Sequence, residues 1–237
     1  MDLKETAILG ADIAHHWYYQ AKLEVLIAFL GRPAPVRILD VGAGSGFFAR
    51  RLLERTAARE AWCVDPGYAA DRDERQSGKP IHFRRRVGAV DADLVLLMDV
   101  LEHVDHDAAL LAEYAGKVPS GCRFLITVPA FQWLWSGHDV FLGHRRRYTL
   151  PEIEAAARRA GLRVESGAYC FAPVFPMAAA LRMASRISGG GGPPRSQLTR
   201  HCPMVNRTLK WLCRLERPVM RLNRVAGLTA LCRATRV

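Results

Sequence analysis

The run Ile38-Leu39-Asp40-Val41-Gly42-Ala43-Gly44-Ser45-Gly46 constrains this chain more than any other stretch. An apolar strand-like segment, Val36–Val41, ends in alternating glycines, and a helical pattern begins at Phe47 and continues to about Ala58. Glycine lets the backbone turn sharply and approach a ligand with no Cβ in the way. The helix N-terminus then offers free N–H groups and the positive end of its dipole to a carboxylate or phosphate. A dinucleotide fingerprint would require a third glycine at position 47, where the chain has Phe47. The spacing is instead Asp-x-Gly-x-Gly-x-Gly, a ligand cradle of a different register.

The surrounding pattern supplies its context. Apolar runs at Ala61–Val64, Ile81–Phe83 (weak), Leu94–Met98, Arg123–Val128 and Arg163–Phe171 alternate with helical segments such as Asp107–Lys117. Such alternation predicts βαβ units and a mostly parallel sheet with helices on both faces. The polar stretch from Asp65 to Gly78 reads as helix or loop. Asp12–Leu30 reads as an opening helix stopped by Gly31 and Pro33. Ala130–Tyr148 reads as an aromatic and basic loop, and Thr149 with Glu152 forms a capping box for a helix that closes at Gly161. Beyond it lie an apolar helix, Pro173–Ile187, and a low-complexity linker, Gly189–Pro194. Val205–Arg224 is patterned as one basic amphipathic helix kinked at Pro218, with Val205, Leu209, Leu212, Leu215, Val219 and Leu222 on its apolar stripe. Gly227–Ala234 is a final strand. The organisation expected is a capping helix region at 1–35, a core at 36–172, a basic helical lid or membrane or substrate element at 173–226, and a returning strand at 227–237.

Charge divides the chain sharply. The net charge is +11, yet Met1 to Leu181 is balanced, while Arg182–Val237 holds 12 basic residues and the single acid Glu216. That imbalance points to a separate surface with its own partner. No Cys-x-x-Cys occurs among the six cysteines, which read as reduced core residues, and no metal is expected. No apolar run reaches the ~18 residues of a membrane-spanning helix, and Met1–Glu5 lacks the build of a secretory signal. A cytoplasmic location follows, with a peripheral place at a membrane as its variant.

A second mark accompanies the glycine loop. Asp65 closes the run Ala61–Val64, 25 positions after Asp40, where an acid can accept both hydroxyls of a ribose. Together with Leu97-Met98-Asp99-Val100-Leu101-Glu102-His103-Val104, these residues resemble the motifs of the class I S-adenosylmethionine-dependent methyltransferases. Within that class they resemble the large group that includes the ubiquinone-biosynthesis O-methyltransferases (methyltransferase types 11 and 12). Ala14-His15-His16-Trp17-Tyr18-Tyr19 and Gly143-His144-Arg145-Arg146-Arg147-Tyr148-Thr149 resemble flanking stretches of a bacterial subgroup. The resemblance implies an α/β Rossmann-like sheet of seven strands, mostly parallel with the last antiparallel, and a helical insertion before that last strand. It implies S-adenosylmethionine as cofactor and S-adenosylhomocysteine as product. Asp40, Gly42, Ala43, Gly44 and Gly46 would hold the methionine end, Asp65 the ribose, and Pro66 and Gly67 the ribose and adenine, while Met98 and Asp99 would sit under the sulfonium. The chain departs from its relatives after the third strand. Arg84–Asp91 stands where many carry an adenine-binding acid, and Asp91 lies too near the fourth strand for that role.

Methyl transfer from a sulfonium is chiefly a matter of positioning, and a hydroxyl acceptor adds the need for a base. His138, His103 and His144 are the candidate catalytic residues, while His16 reads as a cap or packing residue of the opening helix. Asp139 is an acid that could orient an imidazole, although its adjacency to His138 makes direct pairing with that ring awkward. Trp17, Tyr18, Trp133, Trp135, Arg146 and Tyr148 are the candidate substrate residues, the tryptophans lying just past a strand end where α/β clefts open. The expected function is methyl transfer, at oxygen, to a small-molecule or lipid-linked acceptor. The stretch 205–224 is a candidate contact for an anionic membrane, and nothing resembles a nucleic-acid-binding module. The rival readings are a silent S-adenosylmethionine-binding module and a nicotinamide-dependent oxidoreductase, the latter disfavoured by Phe47.

Overall fold

The computed structural model describes residues 10–187, 196 and 202–237; the linker expected at 189–194 lies outside them. A short 3-10 turn, Gly10–Ala14, leads into helix α1 (Trp17–Phe29), and the order then runs β1 (Arg37–Val41), α2 (Phe47–Arg55), β2 (Glu60–Val64), β3 (Arg72–Gln76), β4 (Lys79–Arg84) and β5 (Leu94–Met98). Next come α3 (Asp107–Gly116), β6 (Arg123–Pro129), α4 (Gly137–Leu142), α5 (Leu150–Arg159), β7 (Leu162–Cys170), α6 (Phe175–Ile187), α7 (Pro203–Leu215) and β8 (Thr229–Arg236).

The strands form one sheet in the order β3-β4-β2-β1-β5-β6-β8-β7. Strand β1 lies between β2 and β5 and is parallel to both, whereas β8 runs antiparallel between β6 and β7. The sheet has eight strands rather than seven. The extra one, β3, falls in the segment expected to be helix or loop, and it pairs antiparallel with β4 through Ser77 and Gly78, both at positive φ. Two left-handed residues in a two-residue connection give the twist that a hairpin requires.

Successive residues of the central strands face opposite layers. Ile38, Leu94 and Leu96 pack with α1, α2 and the Leu209 and Cys213 side of α7; Leu39, Val95 and Leu97 pack with α3 and α5. Period-2 alternation within fully buried strands is what a sheet covered on both sides demands. The capping box predicted for α5 forms, with the Glu152 carboxylate accepting from the Thr149 N–H at 2.6 Å and from its hydroxyl at 2.7 Å. Five of the six cysteines are buried and all six are free. No described helix is long and apolar enough to cross a membrane.

The basic segment departs from expectation. Helix α7 ends at Leu215 instead of bending at Pro218 and running on to Arg224; a 3-10 turn, Met220–Leu222, follows. Tertiary contact explains the stop. The Glu216 carboxylate turns inward and accepts the backbone N–H groups of Phe171 at 2.6 Å and Ala172 at 2.7 Å, just past β7. The stripe also divides differently, since Leu209 is buried while Val205, Leu215, Val219 and Leu222 are exposed. Replacing Glu216 with alanine strands one buried and one half-buried donor, and should lower stability by about 2 kcal/mol. Urea denaturation of Glu216→Ala beside Glu216→Gln, which keeps one acceptor, measures the loss; equal stability of all three proteins would refute the assignment.

Candidate active site

The carboxyl ends of β1, β2, β5 and β6 lie on one edge of the sheet, and β8 begins there because it runs the other way. Chain order reverses between β1 and β5, the place where open α/β sheets leave a ligand crevice. The glycine loop leaves β1 at this point. Gly42, Gly44 and Gly46 all have positive φ. A Cβ on Gly42 would meet Val100 Cγ2 at 2.7 Å, and one on Gly46 would meet Phe83 Cε1 at 2.9 Å. Glycine is therefore required at both positions by conformation and by space.

Asp65 ties this loop to β2. Its carboxylate accepts from Gly44 N at 3.1 Å and from Gly67 N at 2.9 Å, and the Tyr68 hydroxyl donates to the Gly44 carbonyl at 2.7 Å. Each carboxylate oxygen can accept more than one hydrogen bond, so Asp65 can brace the loop and still receive hydroxyl donors. Asp40 and Ala43 are buried beneath the loop, while Pro66 is exposed beside it. These residues fit a nucleoside with an aminoacyl end: glycines that admit close approach, a helix N-terminus at Phe47, and an acid at the neighbouring strand end. Asp91 sits elsewhere, 2.7 Å from the guanidinium of Arg37 at the start of β1, the opposite edge of the sheet.

Across the crevice, Asp99 follows β5 with φ 57°. Its carboxylate pairs with the ammonium of Lys22 and accepts from Thr127 Oγ1 at 3.0 Å and Tyr18 Oη at 3.3 Å. Lys22 is 1% exposed, in the middle of α1. Burial works against its charge, but the Asp99 carboxylate outweighs burial and holds the Lys22 pKa above its ordinary value. This pair fastens the opening helix to the end of the central strand, and Met98 lies beneath it, 7% exposed.

Beside Asp99 opens a cavity of about 300 Å³. Trp17, Tyr18, Pro129, Leu142, Met177 and Leu181 are among its walls, and Glu102, His138, His144, Arg147 and Arg182 bring polar groups to it. Asp139, fully buried at the first turn of α4, organises the polar side. It accepts from Ser136 N (2.8 Å) and Ser136 Oγ (3.2 Å), from His144 Nδ1 (2.8 Å), and from Arg147 Nε and Nη2 (2.8 and 2.9 Å). Burial raises the Asp139 pKa, but the hydrogen bonds from His144 and Arg147 prevail and hold it well below the usual carboxylate range. With Nδ1 donating to that carboxylate, the Nε2 of His144 is left as an acceptor. It has no hydrogen-bond partner and lies 3.9 Å from Glu102 Oε1.

Glu102 is fully buried with neither carboxylate oxygen hydrogen-bonded. Burial, then the charge of Asp99, pushes its pKa well above the ordinary value. The His103 ring stacks edge-on against His144 at 4.9 Å between centroids. Glu102, His103 and His144 each place one ligand atom within 4.8 Å of the others, a set able to hold a metal ion.

The structure thus brings Trp17, Tyr18, Asp99, His138 and His144 to one cavity and leaves other candidates outside its lining. Tyr148 is 3% exposed, its hydroxyl donating to the Leu101 carbonyl and to Asp107, both at 3.1 Å. Arg146 donates to the carbonyls of Val104 and Asp105. Trp133 stacks on Phe131 at the surface, and the Trp135 carbonyl accepts from Arg186. His16 caps α1, its Nδ1 accepting from Tyr18 N at 3.3 Å. Sequence reasoning did not single out Lys22, whose one signal is a lysine between Ala21 and Leu23 in an apolar helix, nor Met177, Leu181 and Arg182.

Burial also governs the remaining rings. It lowers His138 from 6.5 to about 4, with Asp139 opposing, and lowers His103 to about 4, with His144 adding to the effect. The unfolded chain takes up protons at these rings as pH falls through 6.5, whereas the folded chain resists until about 4. The stability they contribute is complete above that window and is lost across it. Melting temperature should therefore fall more steeply from pH 7 towards pH 4.5 in the wild type than in His138→Asn, and parallel curves would refute the buried neutral state.

Comparison with known proteins identifies the family and the fold. A family model described as a methyltransferase domain matches residues 14–166, well over half of the chain. No curated protein matches the sequence. Among solved structures, an S-adenosylmethionine-dependent methyltransferase from Archaeoglobus fulgidus is similar at a TM-score of 0.55 and 16% identity, with 99% of this chain and 98% of that one covered. An O-methyltransferase family protein from Burkholderia thailandensis gives 0.53 and 16%, covering 92% of this chain and 56% of that one. The calicheamicin-biosynthesis methyltransferase CalO1, solved with S-adenosylhomocysteine bound, gives 0.50 and 20%, covering 63% and 50%. At these identities the structures establish the fold, and the family model carries the assignment. The chain belongs to the class I S-adenosylmethionine-dependent methyltransferases.

Proposed function

We propose that this enzyme methylates a hydroxyl of a largely apolar acceptor, small or lipid-linked, held in the cavity beside Asp99. The observation that carries this reading is the buried Asp139–His144 pair, whose free imidazole nitrogen borders a largely apolar chamber. A base is needed where the acceptor must lose a proton, as a hydroxyl must.

Bound S-adenosylmethionine supplies the electrophilic methyl group. Gly42, Gly44 and Gly46 would leave room for its aminoacyl end, Asp65 would receive the ribose hydroxyls, and Pro66 would stand beside the base, with Asp40, Ala43, Met98 and Asp99 flooring the crevice. Trp17 and Tyr18 close the cavity from the α1 side and exclude water from the transfer line. Asp139 fixes the ring orientation and tautomer of His144 and stabilises the imidazolium that forms when Nε2 takes the acceptor proton. Glu102 lies at the cavity wall, where burial raises its pKa and so works against a negative charge beside the developing alkoxide. His138 is a neutral ring in the chamber wall, and His103 is a neutral ring packed against His144.

Asp65→Ala should weaken S-adenosylhomocysteine binding by more than tenfold in calorimetry; unchanged affinity would remove the ribose role. His144→Gln should leave that affinity intact and lower kcat at least about a hundredfold on a hydroxylated acceptor. Turnover should also survive chelation. Loss of activity with a chelator and its return with a divalent cation would transfer the role of His144 from base to metal ligand. Binding of S-adenosylhomocysteine with no transfer to any acceptor would instead favour a silent binding module.

A further inference from the structure

Helix α6 has no buried residue, although it is rich in apolar side chains. Met177, Leu181, Met183 and Ile187 are 53%, 64%, 47% and 85% exposed. Helix α7 buries Leu209 and Cys213 against the core and carries a second apolar stripe on its outer side, where Met204, Trp211 and Leu215 are 77%, 57% and 53% exposed. Their spacing of seven and four residues puts these three on one helical face. Arg207 and Arg214, also seven apart and exposed, flank them. The chain that follows adds Val219, Leu222 and Val225 among Arg217, Arg221 and Arg224, all exposed. A helix that has already buried one stripe has no folding reason to present a second. Exposed apolar groups of this extent on a monomer's surface mark an interaction site.

The sign of the charge selects the occupant. Arg182–Val237 holds 12 basic residues, and its single acid, Glu216, is buried and spent on backbone N–H groups. An outward face with bulky apolar residues and one tryptophan, edged by arginine and free of acids, matches a lipid interface with anionic headgroups. Nucleic acid would satisfy the arginines and leave the Leu, Met and Ile side chains in water.

Both helices also border the cavity. Met177 and Leu181 line it while remaining more than half exposed, and Leu209 lines it from α7. Arg182 and Arg186 hold α6 over this opening by donating to the carbonyls of Leu134 and Trp135, each at 2.8 Å. We propose that the outer faces of α6 and α7 dock this enzyme on an anionic phospholipid surface, so that an amphiphilic acceptor passes from the leaflet into the cavity past Met177 and Leu181. The docking stands on the surface alone, while the passage of the acceptor rests on the hydroxyl-transfer reading above.

Sedimentation of the full chain with phosphatidylcholine vesicles, with and without phosphatidylglycerol, tests the docking. The protein should pellet with the mixed vesicles and stay in solution with phosphatidylcholine alone. A Trp211→Ser, Leu215→Ser double variant should lose at least about tenfold in partitioning. Arg207→Glu with Arg214→Glu should abolish the preference for phosphatidylglycerol. Circular dichroism melting confirms that these exposed substitutions leave the fold intact, and S-adenosylhomocysteine calorimetry on the same variants should be unchanged, which separates failure of docking from failure of the cofactor site. Wild type that fails to pellet, variants that pellet equally, or retention on duplex DNA in preference to vesicles would each overturn the proposal.

Discussion

The buried carboxylate of Asp139 is the interaction on which the cavity's polar wall depends. A charge without solvent is tolerable only where partners replace its hydration. Here Ser136, His144 and Arg147 supply five donors to one side chain. Those donors come from both ends of α4, so satisfying Asp139 fixes the path of the chain from Ser136 to Arg147. The same segment is zipped at its base, where Phe131 N donates to Tyr148 O at 2.8 Å and Tyr148 N to Pro129 O at 2.9 Å. A stretch that would otherwise be a loose connection between β6 and α5 thereby becomes a rigid wall, and the His144 imidazole inherits that rigidity.

Buried Lys22 and half-buried Asp99 make a second pair with a different consequence. Removing Asp99 would leave the Lys22 ammonium uncompensated in the core, a change that costs about 3–5 kcal/mol in comparable pairs. The pair joins an element at the chain's start to the end of the central strand, with the Tyr18 hydroxyl sharing the same carboxylate. Trp17 is held from the other side, where its backbone N–H donates to Asn206 of α7 at 2.7 Å. The aromatic roof over the cavity is thus fixed by contacts spanning almost the whole sequence.

What could be read in advance follows the range of the forces involved. The glycine loop was legible because left-handed backbone and helix N-termini are local properties, and the parallel sheet because alternation of short apolar runs is local too. Asp65 followed from its place at a strand end. Strand β3 was hidden because Arg72–Gln76 has no apolar alternation. It is an edge strand whose support comes from pairing with β4 and from ion pairs such as Arg50 with Glu74. Asp139 was visible as an acid beside His138, yet its partner is His144, five residues on, because the turn of α4 returns the chain to it. Arg146, in the run of arginines 145–147, read as a substrate residue. The fold spends them on Asp105, on two loop carbonyls and on Asp139. Helix α7 was misjudged in length because its end is set by Glu216 reaching a backbone 45 residues away in sequence.

That inward-turned carboxylate has a mechanical meaning. Glu216 joins the last turn of α7 to the chain leaving β7, and Asn206 joins the first turn to the head of α1. The helix is therefore pinned at one end to the chain leaving the sheet and at the other to α1. It behaves as a beam set into the frame and not as a hinged flap. A load on its outer face cannot lift it without uncovering backbone donors at one end and the aromatic roof at the other. Whatever engages that face is consequently held at a fixed height and tilt relative to the crevice between β1 and β5.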